Sequence, residues 1–552
     1  MLKNHPRGLA TLFFTEIWER FSYYGMRALL ILYMTKELLY ADEKAYGIYG
    51  AYTALVYATP VIGGVMADKV LGQRQAIILG AAMMTLGHFA LAFPSQLMFY
   101  IALALLVIGN GFFKPNMAPL LGQLYSRDDP RRDGGFTIFY MGVNIGAIAA
   151  PLVCGTVGEL VGWHYGFSLA GFGMLFGLLL FRRRQNIFGN KGLPPEAGTK
   201  RYVAGLSGIR WTWIAALAAI PLFATLMNQS QVMSYILGAT GLVVVVVVFV
   251  AAMRATKVER ERLAVAMILI VFSMLFFAFF FQGGSSLTLW ADRNVDREIL
   301  TEYQIDEEAL HELRAAGLSD SLAVRLTALY GTSFDHSRKL LAAVEERLQQ
   351  PLEGLEPPRE IWIESARHFG FSVTASQLEA VNPLFIILFS APFAGLWFRL
   401  NKAGREPTTT MKFALGTILL GVGFVVFAAG QAVADAALAP MIILLVGYAL
   451  VTAGELCVSP VGLSMVTRLS PAKIVSFMMG TWFLSSAFAN HIAALIATLT
   501  ATGGGGAIDD PTASLAAYSN VYETVGYIAI GAGLLMMLLV KPLEKWSHPE
   551  AG

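Results

Sequence analysis

Apolar runs of about 18 residues or more recur along the chain, separated by charge clusters and Gly/Pro stretches. Runs of that length match the hydrocarbon thickness of a bilayer and predict membrane-spanning helices. Fourteen spans are predicted, at 9–35, 47–67, 75–93, 98–122, 136–158, 164–181, 211–228, 232–253, 263–290, 380–399, 410–429, 440–467, 474–499 and 517–540. The expected fold class is therefore an all-α polytopic membrane protein. With the pair at 211–253 set aside, six spans precede it and six follow. That count predicts 12 core helices in two six-helix halves, 1–184 and 263–545, joined by a 185–262 linker that adds two helices. The stretch 291–379 is expected to be a helical insertion outside the membrane. Its amphipathic helices are predicted at Asp306–Ala316, Asp320–Tyr330 and Ser337–Leu348, ended by Pro351–Pro358. Thr502–Ser514 is Gly-rich and reads as a flexible outside stretch.

Charge adds orientation. With the N-terminus inside, cytoplasmic segments hold 26 of the 40 Lys and Arg, and the short outside loops hold only Lys36 and Lys44. The 291–379 insertion holds nine bases against 17 acids. The three remaining cations, Arg20, Arg27 and Lys114, fall at membrane depth, as do the acids Glu16, Glu19 and Glu455. Composition agrees: 56% of residues are hydrophobic, 14% are charged, and mean hydropathy is +0.59. The net charge of +2, with no basic patch, excludes a nucleic-acid partner. Cys154 and Cys457 lie inside spans, far apart in sequence, and read as small packing residues. The first apolar segment reads as a retained span, because no small-residue cleavage site follows a short apolar core.

The deep ions carry the chemistry. A charge at bilayer centre costs roughly 2.5–3.5 kcal/mol and is kept mainly where it faces a cavity that handles ions, protons or polar substrate. At about 100° per residue, Glu16, Arg20, Tyr23 and Arg27 share an arc of about 60°, with Glu19 one step aside. One polar stripe of the first helix thus turns from lipid.

Five motifs carry a family resemblance. Glu16-x-x-Glu19-Arg20-Phe21-x-Tyr23-Tyr24-Gly25 resembles the signature of the proton-dependent oligopeptide transporter (POT) family, within the major facilitator superfamily. Gly63-Gly64-x-x-Ala67-Asp68-Lys69-x-Leu71-Gly72, Phe113-Lys114-Pro115-Asn116, Phe139-Tyr140-x-x-Val143-Asn144-x-Gly146 and Gly454-Glu455-Leu456-x-x-Ser459-Pro460-x-Gly462 resemble its other motifs, in the expected order. The inserted helix pair resembles bacterial members. The resemblance implies a major facilitator fold in a bacterial inner (cell) membrane, with both termini cytoplasmic. It implies a proton-coupled symporter of di- and tripeptides working by alternating access, with the proton as coupling ion and no cofactor. A monomer is the expected functional unit. Matching positions would bind the peptide carboxylate (Arg27, Lys114), its amino group (Glu455, Asn144, Asn382) and its side chains (Tyr24, Tyr57, Trp482). The Glu16-x-x-Glu19-Arg20 cluster would couple protons.

The residue types fit a peptide on their own chemistry. A zwitterion needs cations on one side and an acid on the other, with amides and phenols between. Arg27 and Lys114 supply the first and Glu455 the second, and a guanidinium can grip a carboxylate in a bidentate fork. Desolvation favours the neutral form of a carboxylate and a nearby cation favours the charged form, so substrate competing for the cation would move a proton. One position departs from the family. In Phe280-Phe281-Gln282-Gly283-Gly284-Ser285-Ser286, Phe281 stands where the family usually carries an acid or amide. In the family that acid pairs with the matching arginine and acts in gating. Here Gln282 or a water would have to substitute, with Ser285 beside it, or Arg27 is freer to hold substrate. Two rival functions stay open: a proton-coupled transporter of another small zwitterion or anion (an amino acid, nitrate), and a membrane receptor or anchor using the acidic insertion. Glu455 argues against a bare anion. Metal-ligand clusters, phosphate loops and nucleophile–base pairs are lacking in the sequence, so no enzymatic activity is expected.

Overall fold

In the computed structural model the described residues are 5–126, 129–304, 367–435, 437–471, 474–501 and 511–548. Helices α1 (Arg7–Leu32), α2 (Asp42–Met66), α3 (Gly72–Leu91), α4 (Gln96–Gly122), α5 (Arg132–Ala150) and α6 (Trp163–Arg184) come first. The linker contributes α7 (Gly208–Met227) and α8 (Ser230–Met253). Then follow α9 (Lys257–Phe280), α10 (Ser286–Asn294), α11 (Val381–Lys402), α12 (Thr409–Ala429), α13 (Met441–Leu469), α14 (Val475–Thr498) and α15 (Pro511–Ser547). A helix stands at each of the fourteen expected spans, α9 and α10 being one span broken at Phe281–Gly284. Among the described residues, 11 stretches are long and apolar enough to cross a membrane, and one of these, Asp42–Leu91, holds both α2 and α3. α1, which carries the five charged residues Arg7, Glu16, Glu19, Arg20 and Arg27, and α14 are outside that set.

Local signals explain the boundaries. α9 opens with a capping box: the Thr256 hydroxyl accepts from the Glu259 amide, and the Glu259 carboxylate accepts from the Thr256 amide. Arg182, Arg183 and Arg184 end α6, where cations complement the helix dipole. The Gly283-Gly284 pair marks the break between α9 and α10.

α1 packs on α5 and α6, and α4 on α2 and α3; in the second group α12 packs on α13 and α15, and α9 on α14. The two groups meet where α2 lies along α14 and where polar residues cross between them. Arg293 grips Asp42 through both guanidinium nitrogens, at 2.6 and 2.8 Å. Lys36 meets Asp292 at 2.5 Å, the Ser376 amide donates to Glu159 at 2.8 Å, and Gln377 donates to Thr156 at 2.6 Å. These contacts close the end that the basic-residue count assigns to the outside.

At that same end the ends of the 291–379 segment have defined structure. α10 runs to Asn294, and β1 (Val295–Asp296) pairs in parallel with β4 (Ala439–Pro440). β2 (Glu298–Gln304) pairs antiparallel with β3 (Arg367–Ser372). The amphipathic helices expected between 306 and 348, and the 351–358 break, lie outside the described residues. So does 502–510 of the Gly-rich stretch, whose end, Pro511–Ser514, belongs to α15.

Candidate functional site

A cavity of about 270 Å³ lies between the two groups of helices. Of the residues singled out in the sequence, Tyr24, Arg27, Tyr57, Asn144, Asn382 and Glu455 line it. Helical period puts Arg27 on the polar stripe of α1, about two turns above the acidic pair, with Tyr24 at its edge.

The lower part of that stripe is buried. Arg20 Nε lies 3.0 Å from Glu16 and 2.5 Å from Glu19, and all three residues are at most 6% exposed. Gly146 of α5 makes room for this cluster. A Cβ there would stand 2.7 Å from the Arg20 Cβ and 2.5 Å from the Ile17 carbonyl oxygen. The Lys114 ammonium of α4 sits over the Tyr57 ring, 4.4 Å from its centre, an attraction of cation to π-face. Tyr57 in turn meets Phe281 at 5.8 Å, ring to ring. Phe281 thus contributes an aromatic wall together with Phe277 and Phe280, which also line the cavity.

Arg27 has a carboxylate partner that sequence reasoning missed. Its Nε lies 3.7 Å from Glu379 Oε2 and donates to the Tyr49 hydroxyl at 3.1 Å. The guanidinium also covers the Tyr24 ring at 5.8 Å. Gly284 permits this approach, since a Cβ there would stand 2.1 Å from the Tyr49 oxygen and 2.6 Å from Arg27 Nη2. Gln282 is engaged elsewhere: its amide donates to the Ala493 carbonyl at 2.9 Å and accepts from the Ser286 hydroxyl at 2.6 Å. Ser285 is buried at the helix break. By sequence position Glu379 counts among the acids of the insertion, because it ends that segment. It is instead 5% exposed at its side chain, accepts from Thr288 at 3.2 Å and lines the cavity. The available signal was its spacing, three residues before Asn382 at the mouth of an apolar run.

On the opposite wall Asn382 donates to Glu455 and to Thr452, both at 3.0 Å. Asn144 donates to the Tyr140 carbonyl at 3.1 Å. Trp482 is not among the lining residues; its ring lies against Gly462, where a Cβ would stand 2.2 Å away. Cys154 and Cys457 are free and buried. Among the described residues no cluster of His, Cys, Asp and Glu is arranged to hold a metal. The cavity is polarised: Arg27 stands on the first-half wall, Glu455 on the second, with phenols and amides between.

Comparison with known proteins places this arrangement. The sequence profile described as the POT family matches residues 74–318 and 363–508. The di-/tripeptide transporter of Lactococcus lactis subsp. cremoris is 33% identical, over 98% of this chain and 96% of its own. Dipeptide and tripeptide permease B of Salmonella typhimurium is 29% identical, over 99% and 96%. A crystal structure of the peptide transporter POT in complex with sulfate superimposes with a TM-score of 0.73 at 30% identity, covering 99% of this chain and 96% of that one. By sequence profile, full-length similarity and fold, this chain belongs to the POT family.

Proposed function

We propose that the protein is a proton-coupled importer of di- and tripeptides in the bacterial cell membrane, with both termini cytoplasmic. The observation that carries this reading is the polarised cavity, with a guanidinium on one wall and an Asn-held carboxylate on the other. A short peptide presents the complementary pair, a carboxylate and an ammonium, whatever its side chains. The names of the Lactococcus and Salmonella relatives support the same cargo. Two acids in the lining, Glu379 and Glu455, disfavour a bare anion such as nitrate.

The mechanism follows from the contacts. The two six-helix halves, 1–184 and 263–545, rock around the central cavity, as in transporters whose site lies at a repeat interface. Asp42–Arg293 and Lys36–Asp292 tie the two halves at the end that the basic-residue count assigns to the outside, which supports a state closed on that side. Opening that seam requires breaking cross-half ion pairs. Glu16 and Glu19 share one cation, Arg20, so a proton taken by either acid changes the charge of a buried cluster beside the cavity. The test is uptake of labelled Ala-Ala into proteoliposomes of the monomeric protein under an inward acid gradient, against amino acids and nitrate as competitors. Accumulation above the gradient-free control is expected; its absence overturns the reading.

A further inference from the structure

The helix pair of the linker lies across the seam between the halves. The last two turns of α7, Ile220–Met227, pack on α4 and α2 of the first half, and α8 reaches α2, α9 and α14. The bend between α7 and α8 is fixed to the first half. There the Tyr100 hydroxyl of α4 donates to the Asn228 side chain at 3.0 Å, and Met227 is buried. One turn into α8, the Ser234 hydroxyl shares a hydrogen bond of 2.8 Å with Nε2 of His491, a buried ring on α14. Gly241 keeps α8 close to the same helix, since a Cβ there would stand 3.0 Å from the Phe488 ring. Met233 and Leu237 are buried in this outer part of α8, while Val243, Val246 and Phe249 further in are exposed. Alongside, α2 and α14 touch: a Cβ on Gly50 would stand 2.2 Å from the Ala494 Cβ. The hairpin thus docks by its outer end, astride the line on which the two halves meet.

We infer that the α7–α8 hairpin is a latch on the outer seam, carried by the first half and fastened to the second at Ser234–His491, which makes His491 a positioning residue for alternation. The inference rests on the rocking of the two halves proposed above and adds an element that biases it. Parting the outer seam separates α2 from α14, and a hairpin held to both cannot follow both. Its hold on the first half combines buried packing on α4 and α2 with Tyr100–Asn228. Its hold on α14 runs through the Ser234–His491 bond and the edge of the Phe488 ring. The weaker hold yields. A hydrogen bond of 2.8 Å is lost once its atoms part beyond about 3.5 Å, so a small movement releases it. The hydrocarbon layer holds no water to replace the lost partner. The bond therefore favours the arrangement closed on the outside, and it does so from the linker, apart from the core pairs Asp42–Arg293 and Lys36–Asp292.

The test uses the full chain in lipid nanodiscs, without ligand, and spin labels on either side of the outer seam at Glu43→Cys and Val433→Cys, both exposed positions, Cys154 and Cys457 being buried. Pulsed electron resonance then reads a short, closed distance and a long, open one. Ser234→Ala should raise the ratio of open to closed about threefold, the equivalent of the roughly 0.6 kcal/mol that an interhelical hydrogen bond in a membrane averages. Ser234→Thr, which keeps the hydroxyl, should restore the native ratio, and Tyr100→Phe, which cuts the tie within the first half, should leave it unchanged. The inference is overturned if Ser234→Ala leaves the ratio as it is, if Tyr100→Phe raises it equally, or if a single distance persists in every variant. Should Ser234→Ala not fold, Ser234→Cys with His491→Cys is bridged by a short bis-thiosulfonate and Ala-Ala counterflow is measured in proteoliposomes. Bridging should stop exchange and reduction should restore it, whereas exchange that continues across the bridge overturns the latch. Failure of the native protein to exchange Ala-Ala, with the distances behaving as expected, would overturn the peptide reading alone.

Discussion

The two ion-pair systems on α1 are built in opposite ways. Glu16, Glu19 and Arg20 lie within one helical turn or so of each other, fully inside the first half, at most 6% exposed. Arg27, two turns further on, finds its acid at the head of α11 in the other half. A pair within one helix keeps its geometry however the halves are arranged, so its charge state can change without its contacts being rebuilt. A pair between halves exists in one arrangement and is lost in the other. Under the function proposed above, the first system would carry the proton and the second would respond to the arrangement of the halves.

That division can be broken by substitution. The largest effect is expected at Glu19. Glu19→Gln should reduce uphill peptide accumulation to the gradient-free level while leaving Ala-Ala counterflow, measured in the same vesicles; full accumulation would remove the coupling role from the α1 cluster. Next comes Arg27→Gln, which takes away a charged donor to the ligand carboxylate. The apparent affinity for Ala-Ala should fall about 10- to 100-fold, corresponding to roughly 1.5–3 kcal/mol, read by competition binding. An unchanged affinity would mean that Arg27 serves only its pair with Glu379.

Smaller effects sharpen the boundary. Asp42 and Arg293 form a bidentate pair at the outer seam, with side chains 15% and 17% exposed. A double-mutant cycle of Asp42→Asn and Arg293→Gln, read by thermal melting in detergent, should give a coupling of about 1 kcal/mol, weaker in high salt. A larger, salt-independent coupling would make the seam, not the cavity, the dominant lock. The smallest effect belongs to Glu406, in the exposed loop between α11 and α12. Hydrogen bonds from Lys412 and Asn401 hold its carboxyl below the ordinary carboxylate value. A depressed carboxyl adds stability above its unfolded value, 4.5, and loses it as pH falls through the folded value. Glu406→Gln should therefore narrow the difference in melting temperature between pH 7 and acid conditions below 4.5, with uptake at neutral pH unchanged. A loss of uptake would tie this loop to the transport cycle.

Much of the site was legible in the chain because its signals are local. Helical period alone aligned Glu16, Arg20 and Arg27, and the cost of charge in an apolar span singled out Lys114 and Glu455 as candidates; Glu455 lines the cavity, while Lys114 lies over the ring of Tyr57, which lines it. Glu379 escaped for a definite reason. It sits at the end of a segment with many other acids, where hydropathy cannot separate a solvated carboxylate from one folded under the helix mouth. The substitution at Phe281 was visible, but its consequence was not. Whether Arg27 was left alone depended on a residue brought in from another helix, and Gln282, the nearest candidate in sequence, is turned toward Ala493 and Ser286.

By itself the sequence determined the spans, the polar stripe of α1 and the presence of opposite charges at membrane depth, since each follows from periodicity and from the price of burying charge in lipid. Tertiary structure alone decided which charge meets which. Pairing across the halves depends on how helices far apart in the chain are docked, and a short turn before α11 could reach both poles of the cavity only once α1, α11 and α13 stood around it.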